Sequence, residues 1–283
     1  MTSFEMIKYR RWQYPSDIPL RIQEIPAHFD TKRIKRELEI SLHTEYSFEK
    51  RKWDSPYIIK YSELIASQKK GIPQLWKNEK WALQFADYIT DLVENSSAPK
   101  VIEIHPPFND YTDITGFVKC YAAFEKRITA CFPDIQILVE NRSGTRYSGK
   151  GCAFVISTNN DIKMLCDELL YADLRLKIAY DIPQIYTAHR AKTEKEYVNL
   201  LEEAKSFREY IGGVHLWGRQ KTSHQGDLNA YFGDTSIKKH FLETFLDCFN
   251  DGITRKMVLE VNSNNNDLLS IVSDLRGVGI NFV

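Results

Sequence analysis

Residues 101–141 read VIEIHPPFNDYTDITGFVKCYAAFEKRITACFPDIQILVEN. The two ends, VIEIH at 101–105 and IQILVEN at 135–141, are short apolar runs rich in β-branched residues, which is typical of strands buried on both faces. Between them, residues 114–131 carry apolar side chains at intervals of three and four, and this spacing predicts an amphipathic helix. A strand, a helix and a second strand in this order predict a parallel βαβ unit.

The same alternation continues on both sides of this unit. Apolar runs predict strands at 4–9, 20–25, 38–43, 101–105, 135–141, 176–181, 211–216 and 257–261. Helical spacing recurs at 57–69, 74–95, 114–131, 162–172, 195–210, 237–249 and 267–275. Because the strands number eight, we predict an α/β protein with a closed (β/α)8 TIM barrel rather than an open doubly wound sheet.

The first crossover is the irregular part of this pattern. Roughly ten residues separate the first two predicted strands, and Pro15 and Pro19 lie among them, which is too short for an ordinary crossover helix of a βαβ unit. We therefore expect the first helix to be irregular or missing. The length of 283 residues fits one barrel, and no linker or repeat divides the chain, so residues 1–283 are predicted to form a single domain.

Composition excludes several classes of protein. Hydrophobic residues make up 43% and charged residues 27%, which excludes a disordered, collagen-like or coiled-coil chain. Lys+Arg and Asp+Glu are both 38, so nucleic-acid binding would require a local basic patch. No apolar run approaches the roughly 18 residues of a membrane span, and no signal-peptide core is present. The five cysteines never form a CxxC pair. We therefore expect a cytoplasmic protein with no membrane partner.

Ionisable residues stand at the ends of six successive predicted strands. They are His43, His105, Glu140, Asp181, His215 and Glu260. In a parallel barrel these ends face one mouth, where barrel enzymes keep their active sites. Clustered carboxylates resist burial unless a cation accompanies them. Mixed imidazole and carboxylate ligands suit zinc, manganese or iron(II), so we expect one or two divalent ions, most simply zinc.

Each of these residues also has a plain structural interpretation. A single strand-end histidine is more often a packed or capping residue than a ligand, and a strand-end acid is often a helix N-cap or an ion-pair partner. The coincidence carries the metal hypothesis. Three of the seven histidines fall at strand ends in the same phase.

Six short motifs resemble a known superfamily in sequence order. They are SLHTEYS at 41–47, IEIHPP at 102–107, VENRSG at 139–144, AYDIPQ at 179–184, GGVHLWG at 212–218 and LEVNS at 259–263. Together they resemble the xylose isomerase-like barrel superfamily, and within it the endonuclease IV branch of abasic-site nucleases. VENRSG is the most specific of the six. The resemblance extends over about residues 38–263 as separate islands.

The resemblance implies two metal positions. His43, His105 and Glu140 would hold one ion, and Glu140 would bridge to a second ion held by Asp181, His215 and Glu260. The family's third metal uses a histidine where this chain has Gln184, and an Asp-x-His where it has Thr222-Ser223-His224. Since only His224 remains of that set, this histidine is a candidate for direct substrate contact instead.

The first functional hypothesis is a metal-dependent phosphodiesterase that acts on abasic or modified nucleic acid. Glu140 would bridge the ions, and Asp181 or Glu260 would orient or deprotonate the attacking water. Substrate contacts would come from Arg142, Arg146, Gln184, Arg219 and His224. The arginines would form a local basic rim for phosphates, although ordinary surface charge explains them equally well.

The alternative is a metal-dependent sugar isomerase or epimerase. In such relatives one ion is held by the strand-end residues that correspond to Glu140, Asp181, His215 and Glu260, and the two glutamates move protons on opposite faces of the carbon. The pair His43 and His105 favours the nuclease branch, because the epimerases do not need it. A barrel that has lost its activity is a third hypothesis.

Overall fold

We describe a computed structural model of the chain. It describes residues 2–34, 38–46, 53–69, 72–94, 96–144, 153–219, 225–232 and 235–283. All structural statements below concern these residues.

Eight parallel strands close into a barrel. They are β1 (Ser3–Lys8), β2 (Ile22–Ala27), β3 (Glu39–Thr44), β4 (Val101–Ile104), β5 (Gln136–Glu140), β6 (Lys177–Asp181), β7 (Ile211–Leu216) and β8 (Arg255–Leu259). Each strand pairs with the next one along the chain, and β8 pairs with β1, with Met257 opposite Met6. The predicted TIM barrel is confirmed.

Helices cover the outside of the barrel. They are α1 (Ser62–Ala66), α2 (Glu79–Val93), α3 (Ile114–Cys131), α4 (Asn159–Ala172), α5 (Ile182–Ala188), α6 (Glu194–Ala204), α7 (Asn229–Phe232), α8 (Thr235–Phe249) and α9 (Asn265–Gly277). Residues 9–21, between β1 and β2, contain no helix, so the expected absence of the first helix is confirmed. The described residues between β2 and β3 are also non-helical.

Local capping explains where helices begin and where the sequence prediction differed. The Thr158 hydroxyl accepts from the backbone N–H of Asp161 in a capping box, so α4 begins at Asn159, three residues before its predicted start. The predicted helix over 57–69 is wrong as one element. Tyr61, at φ −113° and ψ 88°, separates the 3₁₀ turn Ile58–Lys60 from α1, and Gln68–Lys69 pairs as a short strand with Ile72–Pro73.

The barrel interior changes character along the strand direction. Its lower layer is apolar and consists of Ile7, Ile22, Val101, Leu138, Ala179 and Val258. Two residues further along five of these strands stand Glu24, Glu103, Glu140, Asp181 and Glu260. Because side chains alternate between the two faces of a strand, residues two apart point the same way. The apolar layer therefore supports a layer of carboxylates at the mouth.

The structure also describes the helix lengths and the surroundings of four cysteines. In the described ranges, no helix is long and apolar enough to cross a membrane. Cys120, Cys166 and Cys248 are buried free thiols and Cys131 is an exposed one, whereas Cys152 lies outside the described residues.

Candidate metal centre

The strand-end residues of β3, β4 and β5 meet at one carboxylate oxygen. His105 Nε2 lies 2.8 Å from Glu140 Oε2, and His43 Nε2 lies 3.4 Å from the same oxygen. His43 belongs to β3, His105 directly follows β4, and Glu140 ends β5. The structure therefore brings together the three residues that the family resemblance assigned to one metal.

Glu103 joins this group, although the sequence prediction missed it. Its side chain lies on β4, and the residue is only 3% exposed. The ligand atoms of His43, Glu103, His105 and Glu140 all lie within 4.8 Å of one another. The strand periodicity contained the signal, because Glu103 stands two residues before His105 and shares its face. The sequence prediction considered only the strand ends.

A second group shares Glu140 with the first. Ligand atoms of Glu140, Asp181 and His215 lie within 4.8 Å of one another. Glu260 stands at the margin of this group, with its Oε1 3.4 Å from His215 Nδ1. A set of His, Glu and Asp side chains that could hold metal is thus present, while the assignment of individual ligands stays a prediction.

Arg142 and Gln184 lie against the acids themselves. Arg142 Nη1 donates to Glu140 Oε1 at 2.7 Å, and its guanidinium lies 4.7 Å from the centre of the Tyr46 ring. Gln184 Nε2 donates to Glu140 Oε1 and also to Asp181 Oδ2, the latter at 2.9 Å. Both residues were predicted to contact substrate. The structure places them on the cavity wall, where they also hold the carboxylates in position.

Asp181 performs a structural role at the same place. Its Oδ1 accepts from the backbone N–H of Gln184 at 2.9 Å, which caps the N-terminus of α5. The Asn141 side chain exchanges two hydrogen bonds with the Asp181 backbone, at 2.9 and 3.0 Å. Asp181 can therefore cap α5 and also serve as a metal ligand, because the cap uses Oδ1 and Oδ2 lies at the mouth.

Burial and crowding shift the protonation of the acids. Burial and the carboxylates of Glu260 and Glu140 raise the pKa of Asp181 well above its usual range. Burial, with the carboxylates of Glu103 and Glu260, raises the pKa of Glu24 to about 7. Burial also favours neutral Glu140, but Arg142 and His105 outweigh it and hold the pKa of Glu140 well below its usual range. Burial and crowding thus favour the neutral forms of Asp181 and Glu24, whereas Arg142 and His105 favour the charged form of Glu140.

The imidazoles respond to the same crowding in different ways. Burial lowers the pKa of His105 to about 3, so this ring is neutral, the form that ligates metals. Burial opposes a charge on His43 as well, but the Glu140 hydrogen bond and nearby acids raise its pKa to about 9. Among the described residues, Glu103 Oε1 and His105 Nδ1 are buried without a hydrogen-bond partner. Possible ligand atoms that are buried without a hydrogen-bond partner, among His and carboxylate side chains, fit a divalent cation. Such a cation would displace the protons from these groups.

A cavity of about 500 Å³ opens above these residues. It is lined by Tyr9, Arg10, Glu24, Pro26, His28, His43, Tyr46, Arg142, Gln184, Gln225, Glu260 and Asn262. Sequence reasoning missed Glu24, Gln225 and Asn262. Gln225 Nε2 donates to Glu260 Oε2 at 3.1 Å, and Asn262 Nδ2 donates to Gln225 Oε1 at 2.8 Å. The volume is that of a small-molecule site.

The predicted basic rim is described only in part. Arg146 and His224 lie outside the described residues. Arg219 belongs to the short strand Gly218–Arg219, which pairs antiparallel with Gln225–Gly226, and its side chain is not described. The arginines that line the cavity in the described part of the chain are Arg10 and Arg142.

Comparison with known proteins gives a likeness of fold to a solved chitinase structure. No protein-family model and no curated protein sequence matches the chain. A GH18 chitinase from Pseudoalteromonas aurantia is 10% identical with a TM-score of 0.50, over 96% of this chain and 100% of that chain. The probable 3-DHS dehydratase AsbF, involved in petrobactin synthesis in Bacillus anthracis, is 10% identical with a TM-score of 0.42, over 69% and 67%. A β-glucosidase from Thermotoga maritima is 10% identical with a TM-score of 0.40, over 86% and 73%. At such low identity the likeness concerns the fold alone.

Proposed function

We propose that this protein is a metal-dependent phosphodiesterase of the xylose isomerase-like superfamily, similar to endonuclease IV, with two divalent ions at the barrel mouth. One observation carries the proposal. Two groups of metal-ligand side chains lie next to each other and share Glu140. Bridging carboxylates are typical of two-metal sites that hydrolyse phosphate esters. The mixture of imidazole and carboxylate favours zinc, and manganese or iron(II) is chemically compatible.

The chain's own residues divide the work as follows. His43, His105 and Glu140 would hold one ion, and Asp181, His215 and Glu260 would complete the second position with Glu140. Bound divalent ions supply positive charge to the phosphate and make a nearby water more acidic. The carboxylate of Glu260 or Asp181 would orient that water and accept its proton.

Arg142 would bind the phosphate group. Its Nη1 holds Glu140 Oε1, and the guanidinium lies on the cavity wall beside Tyr46. An arginine fork matches phosphate oxygens as well as carboxylate oxygens. Gln184 would keep Glu140 and Asp181 at a fixed separation through its amide hydrogen bonds.

The substrate class follows from the cavity. A volume of about 500 Å³ suits one sugar–phosphate unit, so a duplex substrate would have to extrude a nucleotide, and extrusion costs least at an abasic or modified site. Arg146, Arg219 and His224 are proposed to contact the flanking backbone.

The test combines metal analysis with a cleavage assay. The purified protein is analysed for bound metal and incubated with duplex DNA that contains a single abasic site, with and without chelator. We expect chelator-sensitive nicking by the wild type and none by Glu140→Gln. Undamaged duplex of the same sequence is the substrate control. A protein that binds two ions and leaves the abasic strand intact would contradict the proposal.

A sugar isomerase or epimerase is the second candidate, and a specific observation favours it. Three carboxamides, from Gln184, Gln225 and Asn262, line the cavity beside Glu24 and Glu260, and amides and acids of this kind recognise sugar hydroxyls. Glu140 and Glu260 would then move protons on opposite faces of the reacting carbon. Turnover of a ketose panel with one ion per chain, and no nicking, would establish this function instead.

A further inference from the structure

Glu103 is one of two acids at the mouth, together with Glu24, that the resemblance leaves without a role. It lies on β4 inside the barrel, two residues before His105 and on the same face of the strand, and is 3% exposed. A buried carboxylate is costly unless both oxygens are paired. The contacts of its two carboxylate oxygens therefore indicate the role of Glu103.

The first oxygen holds a histidine of the second metal group. Glu103 Oε2 lies 2.9 Å from His215 Nε2, across an interval of 112 residues. On the other side of the ring, His215 Nδ1 lies 3.4 Å from Glu260 Oε1. A proton on Nε2, held by Glu103, leaves the Nδ1 lone pair facing the acids of the second group. This is how carboxylates orient metal-binding histidines in general.

The second oxygen points into the first metal group. Glu103 Oε1 is buried and has no hydrogen-bond partner in the part of the chain that the structure describes. It lies 3.4 Å from His43 Nε2, an atom that is also 3.4 Å from Glu140 Oε2. A ligand atom of Glu103 therefore stands within 4.8 Å of those of His43, His105 and Glu140.

A buried glutamate elsewhere in the chain shows the contrast. Glu125 on α3 is 8% exposed. Its Oε2 accepts from the Tyr121 hydroxyl at 2.6 Å, and both of its oxygens accept from the backbone N–H of Arg175, at 3.3 and 3.0 Å. Glu125 is satisfied by hydrogen bonds from the protein itself, whereas Glu103 Oε1 has only a longer ion-pair contact with His43, at 3.4 Å, among the described residues.

We propose that Glu103 connects the two metal positions: Oε1 is a fourth protein ligand beside His43, His105 and Glu140, and Oε2 orients His215 toward the second position. This inference rests on the proposed two-metal function. The first position would then offer two histidines and two carboxylates, which are side chains that zinc takes as ligands in proteins.

Two variants separate the two roles. In Glu103→Gln the amide oxygen can still accept from His215, but an amide nitrogen replaces the ligand oxygen. Glu103→Ala removes both contacts. Glu125→Gln is the matched control, a buried glutamate outside the mouth. Bound zinc is counted after dialysis against a graded metal buffer, and melting temperatures without metal verify that each variant is folded.

We expect Glu103→Gln to lose one of two ions and to keep the other with unchanged affinity. We expect Glu103→Ala to lose one ion and to hold the other 10- to 100-fold more weakly, the usual effect of removing a histidine's acceptor. Glu125→Gln should keep both ions. If folded Glu103→Gln binds as many ions as the wild type with equal affinity, the inference is wrong and the proposed function stands. A wild type that binds no divalent ion overturns both.

Discussion

The two ends of the barrel bury charge in opposite ways. At the base, Arg255 begins β8 and is 1% exposed. Its guanidinium donates to both oxygens of Asp251, at 2.8 and 2.6 Å, and to the carbonyls of Ile211 and Arg208, at 3.0 and 2.9 Å. At the mouth, Glu103 Oε1 and His105 Nδ1 have no hydrogen-bond partner among the described residues.

The charged groups at the base are paired with each other and stabilise the fold. The charged groups at the mouth include a set of side chains that could hold a metal ion. Asp251 and Arg255 neutralise each other and satisfy their donors, as a buried ion pair must. The mouth instead gathers several carboxylates around His43, His105, His215 and Arg142, and among the described residues Glu103 Oε1 and His105 Nδ1 have no hydrogen-bond partner. Active sites characteristically give up stability in this way. Changes at the two ends should therefore affect different properties of the protein.

The largest effect is expected at the mouth. Glu140→Gln should reduce catalysis by at least about 10³-fold, because the shared ligand of both positions supports several kcal/mol of transition-state stabilisation. Activity, bound metal and urea unfolding are measured on the same preparation. A variant that keeps its metal content would refute the bridging role of Glu140.

At the base the pattern should reverse. Arg255→Ala removes both Arg255 hydrogen bonds to Asp251 and leaves the longer contact with Arg208 Nε, at 3.6 Å. Breaking a buried pair costs about 3–5 kcal/mol. Urea unfolding should report this loss, while the number of ions bound per folded chain stays at the wild-type value. Loss of metal from folded Arg255→Ala would show that the two ends are not independent.

Metal should stabilise the protein only through the mouth. At a free zinc concentration 100 times the dissociation constant, the wild type should gain about 2.7 kcal/mol per site. The same gain is expected for Asp251→Asn, whose mouth is intact, and none for Glu140→Gln. Thermal melts with and without zinc test this, and an equal gain in all three proteins would place the metal elsewhere.

The smallest effect concerns acid stability at the base. The hydrogen bond from Arg255 lowers the pKa of Asp251. An acid with a depressed folded-state pKa contributes stability above its unfolded pKa of about 4 and loses it as the pH falls through the folded value. The free energy of unfolding of the wild type should therefore exceed that of Asp251→Asn by about 1.5 kcal/mol at pH 6. This difference should shrink below about pH 4. A difference that persists at pH 2 would mean that packing, not charge, accounts for it.

Much of the fold was readable from local pattern. Short β-branched runs such as 101–105 and 135–141 predicted buried parallel strands, and the helix over 114–131 was predicted to the residue. The interval 57–69 was misread, because the apolar spacing was helical while the backbone turns at Tyr61 and again into the strand Gln68–Lys69. Such breaks depend on contacts with distant residues and leave little trace in a short window.

The sequence predicted fewer of the features of the site than of the fold. Strand ends marked the six predicted ligands, since the direction of a parallel strand decides which end reaches the mouth. Glu103 was missed although it shares the face of His105, because the sequence prediction considered only strand ends. Glu24 was missed because no predicted ligand marks the inward face of its strand. Gln225 and Asn262 lie outside the eight barrel strands, where the barrel's periodicity does not constrain them.

Local periodicity in the chain was enough to establish a parallel barrel with imidazoles and acids at its carboxyl end, because strand and helix spacing is encoded within a few neighbouring residues. Which atoms meet was decided by closure of the barrel. The contact between Glu103 and His215 spans 112 residues, and its geometry follows from the register of β4 through β7 around the ring. No local pattern contains that register, because every strand pairing between them contributes to it.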